Sequence, residues 1–324
     1  MFEILEHDVM NFLFLIDPLE TVVAEKDTSF MLMEAAHRRG HKIFYLPNGG
    51  MSSDRNNFSF RATPVVPQRK KALPFDVEPE CLLPAEKVDV IFVRNDPPFN
   101  ERYLVNTWIL DRLPKRIVVV NRSSSIRTVN EKLWCTQFAD LMPRTLISSH
   151  RAELDAFLRE ERTVVVKPTN GHGGRAIFIL SEGDVNTSVT LETLTSKYTE
   201  EILMQAYIPE AQEGDKRVLL LNGEPLGAML RLHGPDDHRN NLFTGATAKP
   251  SEITDADLKI VNVLKPHLKE LGLYFVGIDI LGGKLIEVNV TSPTCLQELV
   301  KFSGEAHDAS VIEFVEGLAS VGVS

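Results

Sequence analysis

Cysteine is scarce in this chain, with three in 324 residues, at the widely separated positions Cys81, Cys135 and Cys295. No CxxC pair occurs, so neither a disulfide framework nor a thiolate zinc site is indicated, and a reducing cytoplasm is the expected compartment. No apolar run approaches the roughly 20 residues that cross a bilayer. The strongest early run, Phe12-Leu13-Phe14-Leu15-Ile16, stops at Asp17-Pro18. It has no basic segment before it and no small-residue cleavage site after it, which reads against a signal peptide. Positive charge is also short: 35 Lys and Arg against 45 Asp and Glu leave a net charge of −10. That balance argues against nonspecific nucleic-acid binding, which needs a cationic surface, and against anionic lipid. It does not exclude a local basic pocket. The nine histidines form no HExxH spacing, and no GxSxG elbow, Ser-His-Asp motif or GxxxxGK[ST] loop is present. What remains is an ordinary globular composition, 43% hydrophobic and 25% charged, in a chain long enough for two or three domains.

The hydrophobic pattern predicts an α/β fold. Residues 11–16 read as a buried parallel strand, Ser29–Arg39 as a helix stopped by Gly40, and His41–Leu46 as a second strand. This βαβ opening points to a doubly wound domain. Residues 47–84 carry five prolines between Pro64 and Pro84 and read as a long loop with an edge hairpin at 58–66. The basic run Arg69-Lys70-Lys71 within it reads as solvated. Strands follow at 88–93 and 117–120, with a helix at 103–113, and the first domain ends near Val129. Beyond it, short helices are expected at 131–139 and 155–161, and strands at 163–166, 176–180 and 202–207. A hairpin at 216–231 turns on Asn222-Gly223. An amphipathic helix over 255–271, paired strands at 274–281 and 284–290, and a closing helix at 311–319 complete the pattern.

Three clusters carry chemistry. Lys167-Pro168-Thr169-Asn170-Gly171-His172-Gly173-Gly174 joins two strands. Glycines let backbone N–H groups approach phosphate oxygens, although the same residues would serve a plain hairpin turn. Lys167 ends an apolar strand and either snorkels to the surface or faces a ligand. Lys132 is a second phosphate ligand or an exposed helix lysine. In the second cluster, strand alternation puts Glu287 and Asn289 on one face, next to a strand carrying Asp279. Three such oxygen ligands suit Mg²⁺, and the alternative is a solvated strand face. Register tests the idea. A two-residue Gly282-Gly283 turn would pair Asp279 with Ile286, so the metal set is expected to need an odd-numbered loop. Third, Arg94, Arg217, Arg231 and Arg239 lie at strand ends or in the adjoining loop, where bidentate guanidinium groups could gather an acidic substrate.

These stretches, with Ile16-Asp17-Pro18, Lys26–Phe30, Arg94–Phe99, Asn130-Glu131-Lys132, Gly214–Val218 and Glu287–Cys295, resemble the bacterial glutathione synthetases of the ATP-grasp superfamily. The likeness runs in the family's order over about residues 11–300. Asp96-Pro97-Pro98-Phe99 and Asn289–Cys295 are specific to that family, while the lysine and metal pattern is general to ATP-grasp enzymes.

The resemblance implies an N-terminal α/β substrate domain (1–129), a central small ATP-grasp domain (130–208) and a C-terminal ATP-grasp domain (209–324). ATP would lie between the last two. Lys132 and Lys167 would hold its phosphates, and Gly171, Gly173 and Gly174 would close over them. Met204, Gln205, Ala206, Tyr207 and Ile208 would meet adenine, and Asp215 the ribose. Asp279, Glu287 and Asn289 would bind two Mg²⁺ ions, with Mn²⁺ as a substitute. Arg217, Arg231 and Arg239 would form the catalytic clamp. Asp17, Thr28, Ser29, Arg94, Asp96, Ser292, Pro293 and Thr294 would line the substrate side. The implied reaction joins γ-glutamylcysteine to glycine through an acyl phosphate, in a cytoplasmic homo-oligomer, commonly a homotetramer. One departure stands out: Thr247 falls where the family carries an arginine in an acceptor-side glycine-rich stretch. Two alternatives follow, a ligase for a different amine and an ATP-binding protein without ligase activity.

Overall fold

A computed structural model describes residues 9–171, 173–234, 239–240, 242 and 245–321. Packing divides it into two compact units. Unit 1 comprises residues up to 128 with 267–275 and those from 290 onward, and unit 2 comprises 129–266 and 276–289. No helix among the described residues is long and apolar enough to cross a membrane.

Unit 1 opens with β1 (Asn11–Leu15), α1 (Thr28–Arg38) and β2 (Lys42–Leu46). Four strands follow, β3 (Met51–Asp54), β4 (Asn57–Pro67), β5 (Phe75–Val77) and β6 (Cys81–Pro84). Then come β7 (Val90–Val93), α2 (Glu101–Leu110), β8 (Val118–Val120) and α3 (Ser123–Thr128). The sheet runs β3-β4-β2-β1-β7-β8, with β5 and β6 also on β4. β2, β1, β7 and β8 are parallel. Phe12 to Leu15 are wholly buried, as the continuous apolar run required. The chain leaves β1 toward β2 on one side and β7 toward β8 on the other. The carboxyl ends of β1 and β7 therefore flank a topological switch point, where open α/β sheets bind ligands.

Two expectations are corrected here. Residues 47–84 are a strand-rich extension and not a long loop. Phe58, Phe60 and Ala62 alternate inward on β4, and Pro64 still joins the pairing as an acceptor, its carbonyl taking the Glu78 N–H at 3.0 Å. Nor is the basic run solvated throughout. Lys70 and Lys71 are exposed, but Arg69 is half-buried and grips Glu34 with two N–H groups.

Unit 2 holds two sheets, the first antiparallel throughout. The first contains β9 (Thr145–Ser148), β10 (Thr163–Pro168), β11 (Phe178–Ser181) and β12 (Ile202–Ala206), in the order β11-β10-β12-β9. Val164, Val166, Leu180 and Met204 pack on α4 (Arg151–Glu161) and α5 (Thr187–Leu194). The second contains β13 (Asp215–Leu221), β14 (Glu224–Leu232), β15 (Thr247–Ser251), β16 (Phe275–Leu281) and β17 (Lys284–Asn289). Its order is β15-β14-β13-β16-β17. α6 (Asp255–Leu271) precedes β16 and buries Ile260, Val261 and Leu264. The chain closes in unit 1 with α7 (Leu296–Ser303) and α8 (His307–Val321).

The hairpin β16–β17 corrects a third expectation. Its turn has two residues, with Leu281 opposite Lys284 and positive φ at both Gly282 (54°) and Gly283 (73°), the conformation a tight two-residue turn needs. Yet Asp279 still stands opposite Glu287. A β-bulge shifts the register between Asp279 and Ile280, so Ile286 is the extra residue. Loop parity alone therefore does not decide which side chains face each other.

Candidate active site

One face of the five-stranded sheet in unit 2 is polar and buried. On β13, Asp215 and Arg217 share that face by alternation, and Arg231 on β14 stands opposite Asp215. Asp279 on β16 stands opposite Glu287 on β17, and Asn289 opposite Gly277. The Arg217 Nη2 donates to Asp279 at 2.9 Å, and its Nε donates to the other carboxylate oxygen. Arg231 reaches Asp279 at 2.9 Å and clasps Asp215 with Nε at 2.9 Å and Nη2 at 2.5 Å. Burial alone would raise the Asp279 pKa, but the two guanidinium groups overcome it and hold the carboxyl well below its ordinary range. Asp215 moves the other way, because burial, with the nearby Asp279 charge, outweighs the pull of Arg231 and Arg217.

Lys132 comes to the same face from the segment before the short 3-10 turns at Trp134–Leu141. Its ammonium donates to Glu287 at 2.8 Å and to the Gly171 carbonyl at 2.5 Å. Burial opposes its charge, but Glu287 more than restores it and raises the pKa. Two carboxylates and an amide, Asp279, Glu287 and Asn289, are thus gathered on one face, with the Asn289 Nδ2 3.4 Å from Asp279. These hard oxygen donors fit a magnesium-type ion. They are too few to cage one alone and suit an ion that keeps phosphate oxygens and water in its shell.

Lys167 ends β10. Alternation sends Val165 and Lys167 away from the helix-covered core, toward a pocket also lined by Ile177, Ile179, Gln205 and Tyr207. Ile208, Leu281, Ile286, Asp215, Arg231, Arg239, Asn240, Asp279 and Glu287 complete much of its wall. Lys167 is 8% exposed and donates to the Gln205 Oε1 at 2.7 Å. Burial, helped by Lys132, lowers its pKa. Gly174 also lines the pocket, and a Cβ there would meet the Arg239 side chain at 3.2 Å. His172, in the same loop, lies outside the described residues, as does most of 235–244. Met204 differs from its neighbours: its side chain is wholly buried in the helix-side core, away from the pocket face.

The remaining sequence-derived site residues lie in unit 1. Asp17 follows β1 and accepts from the Asp96 N–H at 2.9 Å, and Ser292 donates to Asp96 at 2.8 Å. Arg94, which follows β7, is buried and donates through Nε to Ser29 at 3.2 Å, while its Nη1 has no hydrogen-bond partner. Thr28 accepts from the Leu296 N–H at 3.4 Å. Pro293 is buried beside Ser292, and the Thr294 hydroxyl lies 3.6 Å from the Cys295 sulfur. In unit 2, Thr247 lies at the start of edge strand β15, opposite Leu232.

Several supporting residues have no role assigned to them by the sequence. Asn130 accepts from the Lys132 and Leu133 N–H groups at 3.0 and 2.9 Å and donates to the Thr169 carbonyl at 3.1 Å. It ties the Lys132 turn to the glycine loop. Thr145 accepts from Gln205 at 3.0 Å and so backs up Lys167. Ile286 faces the pocket only because of the bulge. Cys135 is buried, and that burial together with Glu287 pushes its thiol up to about 12, so it is no nucleophile at neutral pH.

Comparisons with known proteins agree with this geometry. The family model for the prokaryotic glutathione synthetase N-terminal domain matches residues 10–127, and that for the prokaryotic glutathione synthetase ATP-grasp domain matches 131–304. Glutathione synthetase of Escherichia coli O6:H1 is 38% identical over 285 residues, covering 87% of this chain and 90% of the relative. That of Gloeobacter violaceus is 36% identical over 312 residues, covering 94% and 96%. Among solved structures, the D-cycloserine synthetase DcsG matches with a TM-score of 0.65 at 15% identity, covering 96% of this chain and 99% of that one. The ATP-grasp ligase PsnB, complexed with a precursor variant, Mg and ADP, matches with 0.64 at 15%, with the same coverage. These two likenesses concern the fold alone. The chain belongs to the prokaryotic glutathione synthetases, a family of ATP-dependent ligases with the ATP-grasp fold that use a divalent metal.

Proposed function

We propose that the polar face of unit 2 transfers the γ-phosphoryl group of ATP to the cysteinyl carboxylate of γ-glutamylcysteine, and that glycine then displaces phosphate to give glutathione. The observation that carries this reading is the convergence of Lys167, Arg231, Asp279 and Glu287 on one pocket, with Lys132 bonded to Glu287 and Arg217 and Asn289 bonded to Asp279. Adenine would lie against Val165, Ile179, Ile286 and the 205–208 segment. Lys132 and Lys167 would hold the phosphates, while Arg217, Arg231 and Arg239 would neutralise charge on the transferring group. Asp279, Glu287 and Asn289 would hold two magnesium ions. Bound there, the ions would offset the negative charge of the phosphate oxygens. The glycine loop would keep water from the acyl phosphate. Asp17, Thr28, Ser29, Arg94, Asp96 and Ser292–Thr294 would receive the acidic peptide, with the Arg94 Nη1 as a ready donor for a carboxylate.

In this reading residues 1–129, 130–208 and 209–324 form the substrate, central and C-terminal domains; the separate four- and five-stranded sheets of unit 2 support the division near 208, whereas 267–275 and the residues from 290 onward pack within unit 1. The chain would act in the cytoplasm as a homo-oligomer, homotetrameric as in the family. Its three free cysteines support a reducing compartment. Thr247 leaves the acceptor side without the family's arginine, which favours testing the amine directly.

ADP release is measured with γ-glutamylcysteine and one amine at a time. Turnover with glycine is expected, and turnover only with another amine would replace glycine as the acceptor. Glu287→Gln is expected to lose at least a hundredfold in kcat with the fold intact. Near-normal turnover of that variant would remove Glu287 from the metal set.

A further inference from the structure

We propose that Arg69 and Gln297 are positioning residues that fix the peptide-receiving side of unit 1. The inference rests on the reading above, in which Thr28, Ser29 and Ser292–Thr294 face the acidic peptide. Arg69 lies in the turn after β4, remote in sequence from every proposed substrate residue. All three of its guanidinium nitrogens donate. Nε and Nη2 donate to the two Glu34 carboxylate oxygens at 3.2 and 2.6 Å. Nη1 donates to the Ala24 carbonyl at 3.0 Å and to the Gln297 Oε1 at 3.2 Å. The group also lies over the Phe30 ring, 5.1 Å from its centroid. Gln297, buried in the first turn of α7, uses its own amide N–H groups on the carbonyls of Ala24 at 2.6 Å and Asp27 at 2.8 Å.

These bonds converge on one short segment. Asp27 caps α1 by accepting from the Phe30 N–H at 3.0 Å. Thr28 and Ser29 are the next two residues, bonded to the Leu296 N–H and to Arg94. On the other side, α7 follows directly from Ser292–Thr294, and Ser292 is bonded to Asp96. Arg69 and Gln297 thus join the two strips that carry the substrate-side hydroxyls. Their energetic value is modest, because the Arg69 side chain is 37% exposed and partly exposed ion pairs stabilise little. Their geometric value is larger. A planar fork and an amide, each satisfied at several points, fix where Thr28 and Ser29 sit, and misplacement by about 1 Å is costly in a binding constellation.

Arg69→Gln and Gln297→Met are made in the full chain, the second keeping side-chain volume while removing both amide donors. ADP release is measured with γ-glutamylcysteine and ATP varied separately, alongside thermal melting. The KM for the peptide should rise about tenfold in each variant, with the KM for ATP and kcat within about twofold of wild type. Arg69→Lys, which keeps the charge but not the fork, should fall between. A melting shift with unchanged peptide KM overturns the inference and leaves a purely structural brace, as does a rise in both KM values together. Should Arg69→Gln melt too low to assay, Gln297→Met carries the same expectation. Wild-type protein that releases no ADP with γ-glutamylcysteine and glycine overturns the functional reading, and this inference with it. Wild-type turnover beside variants of unchanged peptide KM overturns this inference alone.

Discussion

Asp279 shows how one side chain organises the site. It is buried between two arginines, and its worth lies in what its loss would leave behind: two desolvated guanidinium groups facing a neutral amide. Asp279→Asn should therefore destabilise unit 2 by about 3 kcal/mol, in the range for breaking one side of a buried pair. Urea unfolding followed by circular dichroism measures this, and an unchanged midpoint would mean the pairing is not what holds the two arginines. The pH dependence has a definite sign. The folded-state pKa of Asp279 lies below its unfolded value near 3.9, so its contribution is complete above that pH. It is lost only as pH falls through the lower folded value, and neutral or mildly acidic buffers should leave it untouched. Asn130 has no such electrostatic signature. Its role is geometric, and it is visible only once Lys132 and the Thr169 carbonyl are known to be neighbours.

Among the elements, the β16–β17 hairpin carries most of the consequence. Gly282 and Gly283 both adopt positive φ, but their surroundings differ. A Cβ on Gly282 would lie 2.6 Å from the Ile208 Cγ2, on the pocket wall, whereas one on Gly283 would meet open space. Gly283→Ala should cost about 1 kcal/mol, the backbone penalty alone. Gly282→Ala should cost more and also raise the KM for ATP by displacing Ile208. Equal denaturation midpoints and equal KM values for the two variants would show that the turn does not brace the pocket. The hairpin also marks how far sequence reasoning reaches. Alternation makes the shared face of Glu287 and Asn289 legible, and a two-residue glycine turn is the simplest reading of Gly282-Gly283. The bulge is not legible, because Ile286 looks like any strand residue and its displacement depends on the neighbouring strand. β4 is hidden for a related reason. Its prolines read as breakers, and only the pairing pattern shows that Pro64 stands opposite Phe44 and Pro67 opposite Phe75 within a strand. Arg69 is hidden because a basic triplet in an irregular stretch has no periodicity to place it.

At the scale of the whole molecule, the net charge of −10 describes the surface and not the pocket. Among the described residues around the polar face of unit 2, five basic side chains (Lys132, Lys167, Arg217, Arg231 and Arg239) stand against three acids (Asp215, Asp279 and Glu287). The proposed ligands are also divided between the units: every pocket residue that would meet the nucleotide belongs to unit 2, while the hydroxyls and Arg94 proposed for the peptide belong to unit 1. Hydrogen exchange can test this division, because a ligand that binds only the native state suppresses the openings of whatever it touches, by about 2.7 kcal/mol at a hundredfold excess over Kd. Mg–ADP alone should slow exchange in 165–171 and 202–208 and leave 28–31 and the first turn of α7 near their free rates. Adding γ-glutamylcysteine should then protect 28–31 and 296–299. If Mg–ADP by itself protected α1 as strongly as β10, the nucleotide and peptide sides would be one cooperative element, and the assignment of peptide recognition to unit 1 would lose its support.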